Sequence, residues 1–268
     1  MIDMESYLDE SGIHDQAKVC VIAGYFGTRI QLRKLEQAWT QTLRDFDFPM
    51  EKFHAKELIK TRDHRKMLEK LAKTISKQRK VHPVSYGIVV EDFNSFTLGQ
   101  RRFLTGATLQ PNGELDPTGC PSKPYFVPFQ NVVKLLTYYA PEGGKVHFSF
   151  GIDRPFYGYA IELFKQMTDL RKAAEKPWST WQTRDRLGVP QAPLAKEIAQ
   201  LQAADFLTHL TYLHMKEWFE NGKVARPSEL LTDCIANTRN KSDHQFQDGS
   251  CLELILVQAR GYVPNAPI

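Results

Sequence analysis

An α/β layer fold with a mixed sheet, opened by an antiparallel hairpin, is the expectation for this chain of 268 residues. Three observations lead to it. Two strand-like segments, residues 5–10 and 19–26, flank a polar turn from Gly12 to Lys18. Beyond them, segments of helical period alternate with strand-like runs, the order expected of helices packed on a sheet. Finally, the run Val146 to Asp153 alternates strictly between apolar and other residues, the period-two signature of a strand.

The elements follow in order. Val19 to Phe26 is continuously apolar, which suits a strand covered on both faces. Leu32, Leu35, Ala38-Trp39 and Leu43 recur at helical spacing, predicting a helix over residues 31–46 that ends before Pro49. A second helix is expected from Asp63, as its N-cap, to about Arg79, with Pro83 stopping it and Val84 to Val90 forming the next strand. Residues 105–124 carry Gly106, Gly113 and Gly119 with Pro111, Pro117, Pro121 and Pro124, too many breakers for a regular element. They predict a Gly/Pro-rich insert spanning about 94–125. Helices are expected over 126–140, from Pro155 to about Ala174 and from Leu194 to about Phe219, with a strand over 146–152. A C-terminal helical extension is expected from about residue 220. With no repeat, low-complexity tract or clean linker, residues 1–268 read as a single domain.

Composition is that of a globular protein: 42% hydrophobic and 25% charged. No apolar run approaches a membrane span, and the acidic start Met1-Ile2-Asp3-Met4-Glu5 is unlike a signal peptide. Cys20, Cys120, Cys234 and Cys251 form no Cys-x-x-Cys pair and read as reduced thiols, so a cytoplasmic location is expected. A net charge of +4 is too mild to imply a nucleic-acid partner by itself.

Chemistry enters through carboxylates placed where a core would refuse them. Asp9 and Glu10 end the first strand. Neighbours on a strand face opposite ways, so Asp9 shares a face with Tyr7 and Glu10 with Leu8; only a bend at Ser11-Gly12 would bring both to one site. Asp153 falls at the carboxyl end of its strand, where open α/β sheets bind ligands, and it can equally cap the helix that Pro155 begins. Asp205 interrupts the apolar stripe Leu194, Ile198, Leu201 and Tyr212, with Gln202 on the same face and Ala203-Ala204 small enough for close packing on a sheet. His54 and Glu57 share a helical face and can ligate a metal or relay a proton, or simply form a surface pair; His209, one turn beyond Asp205, is a further candidate.

At Tyr7-Leu8-Asp9-Glu10-Ser11-Gly12, followed by an apolar strand with Gly24, and again at Leu201-Gln202-Ala203-Ala204-Asp205, the chain resembles the bacterial family catalogued as domain of unknown function 3800. Phe53-His54-Ala55-Lys56-Glu57-Leu58 and the strand ending in Asp153 look like its two intermediate motifs. The resemblance implies a ribonuclease H-like mixed sheet with an acidic, metal-binding centre. It covers neither the Gly/Pro-rich insert nor the region after residue 220.

Hard cations such as Mg²⁺ or Mn²⁺ take carboxylate oxygens and keep several waters. Asp9, Asp153 and Asp205, with Glu10 or Glu57, would supply such a cage, and His54 would move protons near a scissile phosphate. Residues 56–80 hold ten Lys or Arg against three Asp or Glu, and Lys66, Lys70, Lys73 and Lys77 repeat along one helix face. That stripe suits a nucleic-acid backbone, although a solvated lysine face reads the same way; Arg101-Arg102 beside the insert add to the basic side. The expected function is a metal-dependent nuclease or phosphodiesterase. The alternative is a non-catalytic module of the same fold that binds nucleic acid or a protein partner, and a homo-oligomer stays open.

Overall fold

The computed structural model describes residues 2–14, 16–106, 122–151, 158, 161, 183–191, 198–222, 224–240 and 243–262. Its centre is the apolar run anticipated above, strand β2 (Val19–Thr28), buried along nearly its whole length. β2 pairs antiparallel with β1 (Met4–Ser11) on one side and with β3 (His82–Val89) on the other. β4 (Val146–Phe150) adds parallel to β1, and β5 (Leu187–Gln191) adds parallel to β4. β6 (His244–Gln247) lies parallel to β3, so the six-stranded sheet has the order β5-β4-β1-β2-β3-β6. The carboxyl ends of β1, β3 and β4 therefore share one edge.

Helices cover both faces. On one side lie α1 (Arg29–Asp45), the single turn α2 (Ala55–Leu58), α3 (Arg65–Ser76), α7 (Ala199–Glu220) and α8 (Glu229–Cys234). Their core joins Val21, Ala23 and Tyr25 of β2 to Leu35, Trp39, Leu71 and Phe206. On the other side lie α4 (Val90–Ser95), α5 (Leu98–Leu104), α6 (Phe126–Tyr139) and α9 (Gly249–Tyr262). There Leu8, Ile22, Ile88 and Phe148 meet Phe93, Phe129 and Val133. Alternation along β1 decides the split: Met4, Ser6 and Leu8 are buried, whereas Glu5, Tyr7 and Asp9 face α7 and its neighbours.

α7 is sandwiched between β1 and β2 beneath it and α1 and α2 above. Thr208 Oγ1 donates to the Ala23 carbonyl at 3.0 Å, which needs the helix close to the sheet. On its outer side, Trp39 Nε1 donates to Gln202 Oε1 at 3.1 Å and Gln202 Nε2 donates to the Met50 carbonyl at 2.7 Å. Every residue from Ala199 to Thr211 is buried except Asp205.

Several expectations are corrected. Ile198 is extended (φ −117°, ψ 113°), so it does not continue the helical stripe. Asp63 does not cap α3: residues 62–64 form a 3-10 turn and His64 stands at the cap position. The start of the expected insert is helical, with Thr97 and Gln100 forming a reciprocal cap on α5. The expected C-terminal helical extension contains a strand, β6, that completes one edge of the sheet. Its sequence, His-Gln-Phe-Gln, has one apolar residue and draws its ladder from β3. Of the helix expected over 155–174, only Gly158 and Ile161 are among the described residues, and both are helical; the Gly/Pro-rich core of the insert lies outside the described residues. No helix among the described residues is long and apolar enough to cross a membrane. Cys20 and Cys234 are buried free thiols and Cys251 is an exposed one.

Candidate functional site

Asp9 enters the site because β1 stays regular through Ser11, pairing Asp9 with Ala23, whose small side chain leaves room between strand and helix. α7 sets Asp205 against it, and Thr208, three residues on, also reaches the Asp9 carbonyl at 3.3 Å. The two carboxyl groups lie within hydrogen-bonding reach of each other. Asp205 Oδ2 also accepts from the Ala55 backbone N–H at 2.8 Å. That donor is available because Ala55 is the first residue of α2 and has no partner within its own turn.

Burial dominates the electrostatics. It pushes the Asp9 carboxyl well above the ordinary value, and the neighbouring charges of Glu10 and Asp205 push it further. Asp205 is also raised by burial, but the Ala55 N–H, the nearby His54 and the Asp9 hydroxyl all favour its charged form. The shared hydrogen bond raises Asp9 and lowers Asp205, so when the pair carries one proton it sits on Asp9 and is donated to Asp205. His54, at the N-terminal edge of α2, is exposed. His209 is buried and stacked on Tyr212, with ring centroids 6.1 Å apart. Its pKa falls to about 4, mainly through burial and then through Lys56, His54 and Lys60, so its imidazole is neutral at pH 7.

The expected cage is thus gathered in part. Asp9, Asp205 and His54 come together, with His209 behind them. Glu10 does not join: β1 stays regular through Ser11, and Glu10 lies on the opposite face near Cys20 and Tyr125, whose thiol and hydroxyl are raised first by burial and then by its charge. Glu57 is 65% exposed and paired with Lys60 at 3.3 Å. Asp153 lies outside the described residues; just after β4, the Gly151 N–H donates to the Leu8 carbonyl at 2.8 Å, one residue before Asp9. Among the described residues, no group of three or more His, Cys, Asp or Glu side chains could hold a metal ion. Lys66, Lys70, Lys73 and Lys77 are exposed along and just beyond α3, which packs through Leu68, Leu71 and Ile75.

Two contributors escaped the sequence reading. The Ala55 amide is a backbone group and carries no residue-type signal. Thr208 was detectable in principle as a hydroxyl one turn beyond Asp205 on a buried helix.

Comparison of the chain with family models, with curated proteins and with solved structures returns no match.

Proposed function

We propose that this protein is a metal-dependent nuclease or phosphodiesterase with a ribonuclease H-like sheet. The strand arrangement supports the fold: an antiparallel β1-β2-β3 meander, with β4 and β5 added parallel on the β1 side. One observation carries the function. Asp9 and Asp205, far apart in the chain, meet in a half-buried pair in which burial and mutual repulsion disfavour two negative charges, a demand a cation would meet. The donors fit a hard divalent ion, since two carboxylates suffice for a cation that retains water.

Asp9 and Asp205 would hold Mg²⁺ or Mn²⁺, which when bound supplies Lewis-acid polarisation of a phosphoryl oxygen and a water of lowered pKa. Asp205 is oriented for this by the Ala55 N–H, and Asp9 by the β1-β2 ladder. His54 stands exposed beside them, able to pass a proton to a leaving oxygen. His209, neutral and buried, limits the positive charge behind the carboxylates. The exposed lysines of α3 supply contacts to a phosphate backbone that carry no sequence preference.

The test has two readouts. Mn²⁺ or Mg²⁺ raises the melting temperature of the wild type by binding the folded state, and Asp205→Asn loses most of that rise. With Mn²⁺, labelled single- or double-stranded DNA or RNA is cut by the wild type and not by Asp9→Asn. Melting indifferent to metal in both proteins removes the metal site. Metal binding without cleavage of any substrate favours the non-catalytic module.

A further inference from the structure

On the face of the sheet opposite Asp205, the carboxyl ends of β1 and β3 border a cavity of about 220 Å³. Ile13 and His14 follow β1, Val90 follows β3, Arg101 comes from α5, and Lys123 and Tyr125 lead into α6. Cationic and apolar groups therefore share one small space at the ligand-binding edge of an α/β sheet.

Arg101 Nε is buried and has no hydrogen-bond partner among the described residues. A buried guanidinium N–H without an acceptor loses its hydration uncompensated, and an anionic oxygen is the partner that best offsets the loss. Lys123 brings a second cation to the wall, which His14 also lines, with Ser122 and Asn94 as neutral donors. The 14-residue helix α6 starts here, so the positive end of its dipole faces the same region. Its first amides already bond the Lys123 and Pro124 carbonyls, so this contribution is a field and not a direct contact. Glu10 lies on this face beside Tyr125, so an anion is held by directed donors and not by net charge.

We propose that this cavity binds a sugar phosphomonoester, its phosphate on Arg101 and Lys123 and its sugar against Ile13, Val90 and Pro124. Sites that enclose a drug-sized ligand run to roughly 300–1,000 Å³. This smaller cavity suits a phosphate with its sugar and leaves a base outside. The ligand is either a free mononucleotide or the phosphorylated end of a strand. The proposal is independent of any metal on Asp9 and Asp205.

Titration calorimetry with EDTA present tests it. Adenosine 5′-monophosphate binds saturably and adenosine does not. Arg101→Met and Asn94→Asp each weaken that binding about tenfold or more, equivalent to ~1.4 kcal/mol. Asp205→Asn binds like the wild type, which separates this cavity from the carboxylate pair. Asn94 is exposed, so its variant keeps the test alive should Arg101→Met fail to fold. Stronger binding of a short 5′-phosphorylated strand than of its 5′-hydroxyl counterpart assigns the pocket to strand ends; binding of the mononucleotide alone assigns it to free nucleotides. Equal binding of adenosine and its monophosphate, no saturation at millimolar nucleotide, or wild-type affinity in Asn94→Asp overturns the proposal.

Discussion

Replacing Asp205 by asparagine should stabilise the metal-free protein at neutral and alkaline pH, although it removes a residue of the candidate site. The substitution preserves the hydrogen bonds: the new amide oxygen accepts from the Ala55 N–H, which reaches Asp205 at 2.8 Å, and the amide nitrogen donates to Asp9. What disappears is a second negative charge. Two unit charges about 4 Å apart at an effective dielectric of about 20 repel by ~4 kcal/mol. Because burial and the neighbouring charge favour the protonated form of Asp9, the wild type escapes part of this repulsion, and about half of it, ~2 kcal/mol, is the expected gain at pH 8. Melting temperature should then rise by roughly 5 °C, at about 2–4 °C per kcal/mol in larger domains. Both folded carboxyl pKa values lie above the ordinary 3.8. Their contribution to stability is therefore complete below that value and is lost as pH rises through the folded values. Melts in EDTA from about pH 4 to 9 read this directly: the wild type loses stability as pH rises above about 4, and Asp205→Asn is flatter. A variant less stable than the wild type at pH 8, or with an equal pH slope, refutes the shared-proton pair.

Other outcomes follow from the packing. Gln202→Leu strands Trp39 Nε1 and the Met50 carbonyl inside the α1–α7 interface, and urea unfolding should show a loss of about 2–3 kcal/mol. Gly24→Ala places a methyl 1.9 Å from the Tyr7 carbonyl oxygen and 2.9 Å from Leu8 Cα. Since both are backbone atoms, β1 must move off β2, and a loss of about 3 kcal/mol is expected in the same assay. His209 and His244 have folded pKa values lowered to about 4, chiefly by burial, so their contribution is complete above 6.5 and is lost as pH falls through 4. His244→Asn should remove part of that acid-induced fall in melting temperature, and identical acid profiles would contradict the burial.

Legibility differed by element for physical reasons. β2 and β4 were readable because burial on two faces, or alternation between them, is written in consecutive residues. α1 was readable because one side meets the core and the other meets solvent. α7 was harder: covered by the sheet below and by α1 and α2 above, it has little amphipathic contrast, and its start was misplaced. β6 was invisible because its partner supplies its order.

The site divides the same way. Alternation alone sent Asp9 and Glu10 to opposite faces, and an apolar helix marked Asp205 as a charge needing a partner. Sequence by itself therefore determined which side chains carry an energetic demand, because burial and period act locally. Only tertiary structure decided how each demand is met. It set Asp205 against Asp9 and the Ala55 N–H, left Glu57 with Lys60 in solvent, and brought Arg101 to a cavity beside β1, because such contacts depend on distances no local pattern encodes.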